Sequence, residues 1–159
     1  MKNIERDFIR HTLATVAYRG GKTLRDAPRR FADFKAGDST KSPLEILSHI
    51  GDLYDWALSQ AKGNEVWTNS KTLEWDDEVA RFFESLDKFD EYIRSGSEIH
   101  VPFEQLFQGP IADSLTHIGQ LAMLRRLADS PIKGENYARA KIEKGLLGID
   151  QKAPKFEFD

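Results

Sequence analysis

Two histidines and one carboxylate carry the most direct chemistry in this sequence. In "ADSLTHIGQ" (residues 112–120) Asp113 and His117 stand four apart, a spacing that stacks two side chains on one helical face and aims them at a common point. His49, in "SPLEILSHIGDLYDWA", falls between Ile46 and Leu53 on the apolar side of a second amphipathic pattern, so its ring is expected to face the interior. Two imidazoles and a carboxylate from two facing helices would hold a divalent ion and leave coordination positions open, as catalytic zinc and non-haem iron sites do. The same residues have structural readings. His49 serves equally as a hydrogen-bonded core residue, and Asp113 as a complement to the helix macrodipole or an i, i+4 partner of His117. Residue types alone leave both readings open.

Other constellations are weaker. Asp113, Ser114 and His117 have the residue types of a hydrolase triad, but neighbours on one helix diverge by about 100 degrees and cannot align as nucleophile, base and orienter. Asp76, Asp77 and Glu78 are accounted for by the start of a helix, and Arg125 and Arg126 by the end of one. His11 lies on the apolar edge of its helix as a possible outer partner of the site, and His100 precedes "VP" in a loop; neither has a nameable partner. Trp56, Trp67 and Trp75 read as packing residues. Gln120, one turn beyond His117, is placed to orient a ligand or to pack as a polar residue.

These residues need helices to position them. Ile4, Phe8, His11, Thr15 and Tyr18 follow helical spacing, and "RGG" at 19–21 is a stop signal, which predicts a first helix from about Ile4 to Arg19. A structured crossover follows, with Phe31 and Phe34 packing against the rest. "SPLE" at 42–45 places Ser42 as N-cap, Pro43 at the first helical position and Glu45 where a capping box needs its acid. The second helix therefore starts there and ends at Gly63, with Ser48, Asp52 and Asp55 toward its polar side. "EWDDEVARFFESLDKFDEYIRSG" is a third helix, and "GP" at 109–110 predicts the start of a fourth, running to "ADSP". A short helical stretch is expected around Tyr137 to Ile142. The fold class is all-α: one four-helix bundle domain over residues 1–159, with a longer crossover after the first helix and a short C-terminal helix.

The chain has 159 residues, a formal charge of −3 and no cysteine. Interleaved acids and bases leave no positive stripe for a phosphate backbone, so nucleic acid is not an expected partner. No apolar run reaches the ~18 residues needed to span a bilayer, and the charged N-terminus lacks a signal-peptide core, which points to a cytoplasmic protein without membrane association. Without cysteine, any thiol chemistry uses a thiol brought by the substrate.

"SPLEILSHIGDLYDWA", "DSLTHIGQLAMLRRL" and "SPIKGENYARAKI", in that order, resemble the DinB/YfiT-like family of metal-dependent enzymes over nearly the whole chain. The family pattern has a histidine in the second helix, matched by His49, and a pair four apart ahead of Gly-Gln, matched by His117 in "HIGQ". The first member of that pair is Asp113 here, where the pattern has histidine. The resemblance implies a homodimeric four-helix bundle holding a divalent metal (nickel, zinc, iron or manganese) through His49, Asp113 and His117. It further implies a small-molecule substrate, with a low-molecular-weight thiol among the options, since related proteins include thiol-dependent transferases and a thiol-using isomerase. A non-catalytic bundle that binds or senses a small molecule is the competing expectation.

Overall fold

The computed structural model describes residues 3–159. Helix α1 (Ile4–Leu24) opens with the Asn3 side chain accepting from the Arg6 amide at 3.1 Å. It runs past the expected stop at "RGG", because Gly20 and Gly21 are buried inside it. A Cβ on Gly20 would meet Phe82 Cζ at 2.5 Å, so glycine here permits a close helix approach, which offsets its poor helical propensity of about 1 kcal/mol. The crossover contains a 3₁₀ turn at Arg29–Phe31, and Phe31 is fully buried, edge-on to Trp75 at 5.7 Å.

Helix α2 (Pro43–Ala61) starts with the expected capping box: Ser42 Oγ accepts from the Glu45 amide while Glu45 Oε2 accepts from the Ser42 amide. Gly63 follows with φ +76°, a left-handed conformation suited to a helix stop. Helix α3 (Trp75–Arg94) buries Phe82, Phe83, Leu86, Phe89 and Ile93, as its periodicity requires.

The last helical run begins earlier than "GP" predicts. It comprises α4 (Phe103–Leu106), a π-helical turn at Phe107–Ile111 and α5 (Ala112–Leu127). Pro110 is inside this run. A proline lacks the N–H of the regular ladder and crowds the preceding turn, and the wider π turn accommodates it without ending the helix.

Helices α1 and α2 each pack against both α3 and α5, so the four long helices form a ring around one core. The 18 residues between Leu24 and Pro43 cross from one side of that ring to the other. The chain is thus mostly helical and all-α. Two further expectations are corrected. Ser48 and Asp52 are buried rather than solvent-facing, because Arg81 of α3 reaches over them: its Nη2 donates to Asp52 at 2.6 Å and Asp55 at 2.9 Å, and its Nη1 to the Ser48 carbonyl at 3.2 Å. The C-terminal helix is absent, reduced to a 3₁₀ turn at Tyr137–Arg139. Strand β1 (Gly134–Glu135) instead pairs antiparallel with β2 (Glu157–Phe158). Long-range ionic contacts hold this ribbon: Lys22 bonds Glu135 at 2.8 Å and Glu157 at 3.0 Å, and Tyr18 donates to Glu135 at 2.6 Å. Among the described residues no helix is long and apolar enough to cross a membrane.

Candidate metal centre

His49 projects from the first half of α2 and Asp113 and His117 from the start of α5, two helices in direct contact. Their register is fixed from inside. Ser114 is fully buried; its hydroxyl donates to the Ile111 carbonyl at 2.8 Å and receives the Tyr54 hydroxyl at 2.6 Å. This link ties α5 to α2 beside Asp113 and satisfies a carbonyl of the π turn. It also uses up the Ser114 hydroxyl, which points into the core and away from any nucleophile role. Burial pushes the Tyr54 phenol well above its ordinary pKa, so it remains a neutral donor.

The three expected ligands come together. His49 Nε2 and His117 Nε2 each lie 3.6 Å from Asp113 Oδ2, and one donor atom from each residue falls within 4.8 Å of the others. At 3.6 Å neither imidazole is hydrogen-bonded to the carboxylate. That spacing approaches the edge of a tetrahedral donor shell, about 3.4 Å for ligand bonds near 2.1 Å. A point therefore exists within about 2.8 Å of all three donors, and side-chain adjustments of about 0.7 Å or less would bring it to bonding distance. The two imidazoles meet edge to face, with ring centroids 4.8 Å apart.

His117 Nδ1 lies 2.8 Å from Gln120 Oε1. An amide oxygen can only accept, so this bond places the proton on Nδ1 and leaves the Nε2 lone pair facing Asp113 and His49. Metal-bound histidines are commonly oriented in this way. Burial holds the His49 imidazole below the usual histidine range; the neighbouring His117 and Lys41 push the same way, and Asp113 opposes them. His49 is thus a neutral donor at neutral pH. Trp67, from the α2–α3 connection, lies edge-on to His49 at 5.6 Å and meets Trp56 at the same distance. It covers one side of the site from a loop that carries no periodic signal.

The site is partly open, with side-chain exposures of 25% for His49, 47% for Asp113 and 18% for His117. His117 and Gln120 line a mainly apolar groove of about 450 Å³ with Thr40, Lys41, Ile46, Met123 and Leu124. Asp113 borders a second hollow of about 440 Å³ beside Trp56 and Gly109. A small molecule thus has access to the donor cluster.

The remaining candidates lie elsewhere. His11 is exposed on α1, and His100 is exposed, its backbone amide donating to the Ala61 carbonyl. Arg125 is buried and binds the Thr23 and Arg25 carbonyls at 3.0 Å, joining the end of α1 to α5. Glu78 is fully buried and accepts from the Leu73 amide at 2.9 Å. Asp113 begins the regular α5 segment, but the helical run starts ten residues earlier at Phe103, so a macrodipole role accounts poorly for it. No family model, curated protein or solved structure matches this chain.

Proposed function

We propose that this protein is a metal-dependent enzyme acting on a small molecule, with His49, Asp113 and His117 as the protein ligands of a divalent ion. The carrying observation is the convergence of these three donors from two helices at non-hydrogen-bonding distance, with Gln120 holding His117 in the ligating tautomer. When bound, such an ion supplies Lewis acidity and lowers the pKa of a water or thiol ligand. The chain's own groups orient the donors, cover one side with Trp67 and offer the groove beside His117 to substrate. The motif resemblance favours a DinB-like thiol-dependent transferase or isomerase, and the absence of cysteine assigns the thiol to the substrate.

Elemental analysis of protein purified without a metal-affinity tag tests the reading. The expected result is stoichiometric nickel, zinc, iron or manganese, lost in His49→Ala. A metal-free protein that takes up none of these ions after incubation overturns it. Metal uptake without turnover on panels of thiols and electrophiles would favour the binding-module alternative.

The proposed assembly is a homodimer. Ile4, Phe8 and Phe107 are exposed at 80%, 61% and 42%, and Phe8 and Phe107 border one apolar hollow between α1 and α4. A symmetric contact through this face would cover them. Sedimentation equilibrium at tens of micromolar should return twice the chain mass, and a monomer mass refutes the dimer.

A further inference from the structure

The groove beside His117 contains one charged side chain, Lys41, and its lining is otherwise apolar or neutral: Thr40, Ile46, Gln120, Met123 and Leu124 besides the histidine itself. Lys41 is exposed and, among the described residues, has no hydrogen-bond or ion-pair partner. The nearest acid in sequence, Glu45, is already engaged by Lys35 at 2.8 Å and by the Ser42 amide at 2.7 Å.

The backbone that presents Lys41 is well held. Lys35 also donates to the Thr40 carbonyl at 2.9 Å, Thr40 exchanges hydrogen bonds with the Gly37 backbone, and Ser42 is the N-cap of α2. A cation on an ordered support, without a protein counter-charge, at the edge of an apolar groove is suited to recognise one anionic group on an otherwise apolar ligand. The adjoining hollow shares Met123 and is lined by Arg19, Arg126 and Lys133. Its one carboxylate, Glu135, is taken up by Lys22 and Tyr18. The charge along this edge of α5 is therefore predominantly positive. Asp113 borders the other hollow, beside Trp56.

We propose that Lys41 is a specificity-determining residue that binds the carboxylate of a small, apolar-bodied organic acid lying along Ile46, Leu124 and Met123 toward the His49, Asp113 and His117 cluster. The placement next to that cluster rests on the metal-site reading; the recognition of the acid by Lys41 does not.

The test compares 4-phenylbutyrate with its uncharged amide by calorimetric titration of the full chain, once loaded with zinc and once stripped with chelator. The acid should bind roughly tenfold more tightly than the amide in both forms, with the preference shrinking as salt is raised. Lys41→Met, which keeps an apolar stem at an exposed position, should bring the two ligands to near-equal affinity, and Lys41→Arg should restore most of the preference. A preference that survives in Lys41→Met, that is absent from wild type, or that vanishes when metal is stripped overturns the proposal; the last result would assign the carboxylate to the ion. Failure of the metal-site reading shows separately, as absence of zinc uptake, and the chelated titration still decides the role of Lys41.

Discussion

Gln120 offers a quantitative test of the metal centre, because its side chain contacts His117 through Nδ1, the ring nitrogen that does not face Asp113. A ligand that binds only the native state, at a hundred times its dissociation constant, stabilises it by about 2.7 kcal/mol. For a domain of this size that raises the melting temperature by about 5–11 °C. Losing the partner of a ligating histidine weakens metal affinity about 10- to 100-fold. At the same ion concentration, Gln120→Ala should therefore retain only about 0.4–1.4 kcal/mol of metal stabilisation, a shift of about 1–6 °C. Gln120 is exposed, so the metal-free variant should melt within about 0.5 kcal/mol of the parent. Gln120→Glu keeps an acceptor opposite Nδ1 and should preserve the full shift. Thermal melts followed by circular dichroism, with chelator and then with zinc, nickel or manganese, read wild type, both Gln120 variants and His49→Ala. A wild-type shift in Gln120→Ala would refute the tautomer argument, and an undiminished shift in His49→Ala would remove His49 from the site.

The remaining expectations concern the carboxylate ligand, the α2–α3 interface and the start of α2. Asp113→His should retain metal and move preference toward nickel and copper, while Asp113→Ala should weaken every ion, because a hard anionic oxygen favours manganese and iron relative to nitrogen-preferring ions; titration calorimetry showing unchanged affinities in both would exclude Asp113 as a ligand. Arg81→Met removes the counter-charge of the Asp52 and Glu78 side chains, which are 6% and 0% exposed, and should cost about 3–5 kcal/mol in urea unfolding; a loss below about 1 kcal/mol would show that the cluster is not acting as a buried ion pair. Glu45 is held down to about 2, chiefly by Lys35 and then by the Ser42 amide. A carboxylate with a depressed folded pKa stabilises the native state above its unfolded pKa, here 4.5, and loses that contribution as pH falls toward about 2. Glu45→Gln should flatten this acid limb by a small amount, because the side chain is about half exposed; an unchanged limb would show that the box carries no charge-dependent stability.

The elements that rest on local rules are legible in the sequence. Ser42, Pro43 and Glu45 specify the start of α2 by their own hydrogen bonds, the apolar repeat of α3 specifies its buried face, and the spacing of Asp113 and His117 puts them together on α5 wherever that helix packs. Each depends on groups a few residues apart, whose interaction is set by helix geometry alone. What only the tertiary structure decided depends on distant partners. Gly20 stays helical because Phe82 needs the space. Asp52 is buried because Arg81 neutralises it from another helix. The C-terminal segment is a ribbon rather than a helix because Lys22 and Tyr18 of α1 meet Glu135 and Glu157. The site divides the same way. Its i, i+4 pair is a local fact, whereas the approach of His49, the cover of Trp67 and the position of Lys41 require α2, α5 and two connections to pack in one arrangement. That arrangement is set by burial of the shared core and by the Tyr54–Ser114 bond, neither of which leaves a short-range signature along the chain.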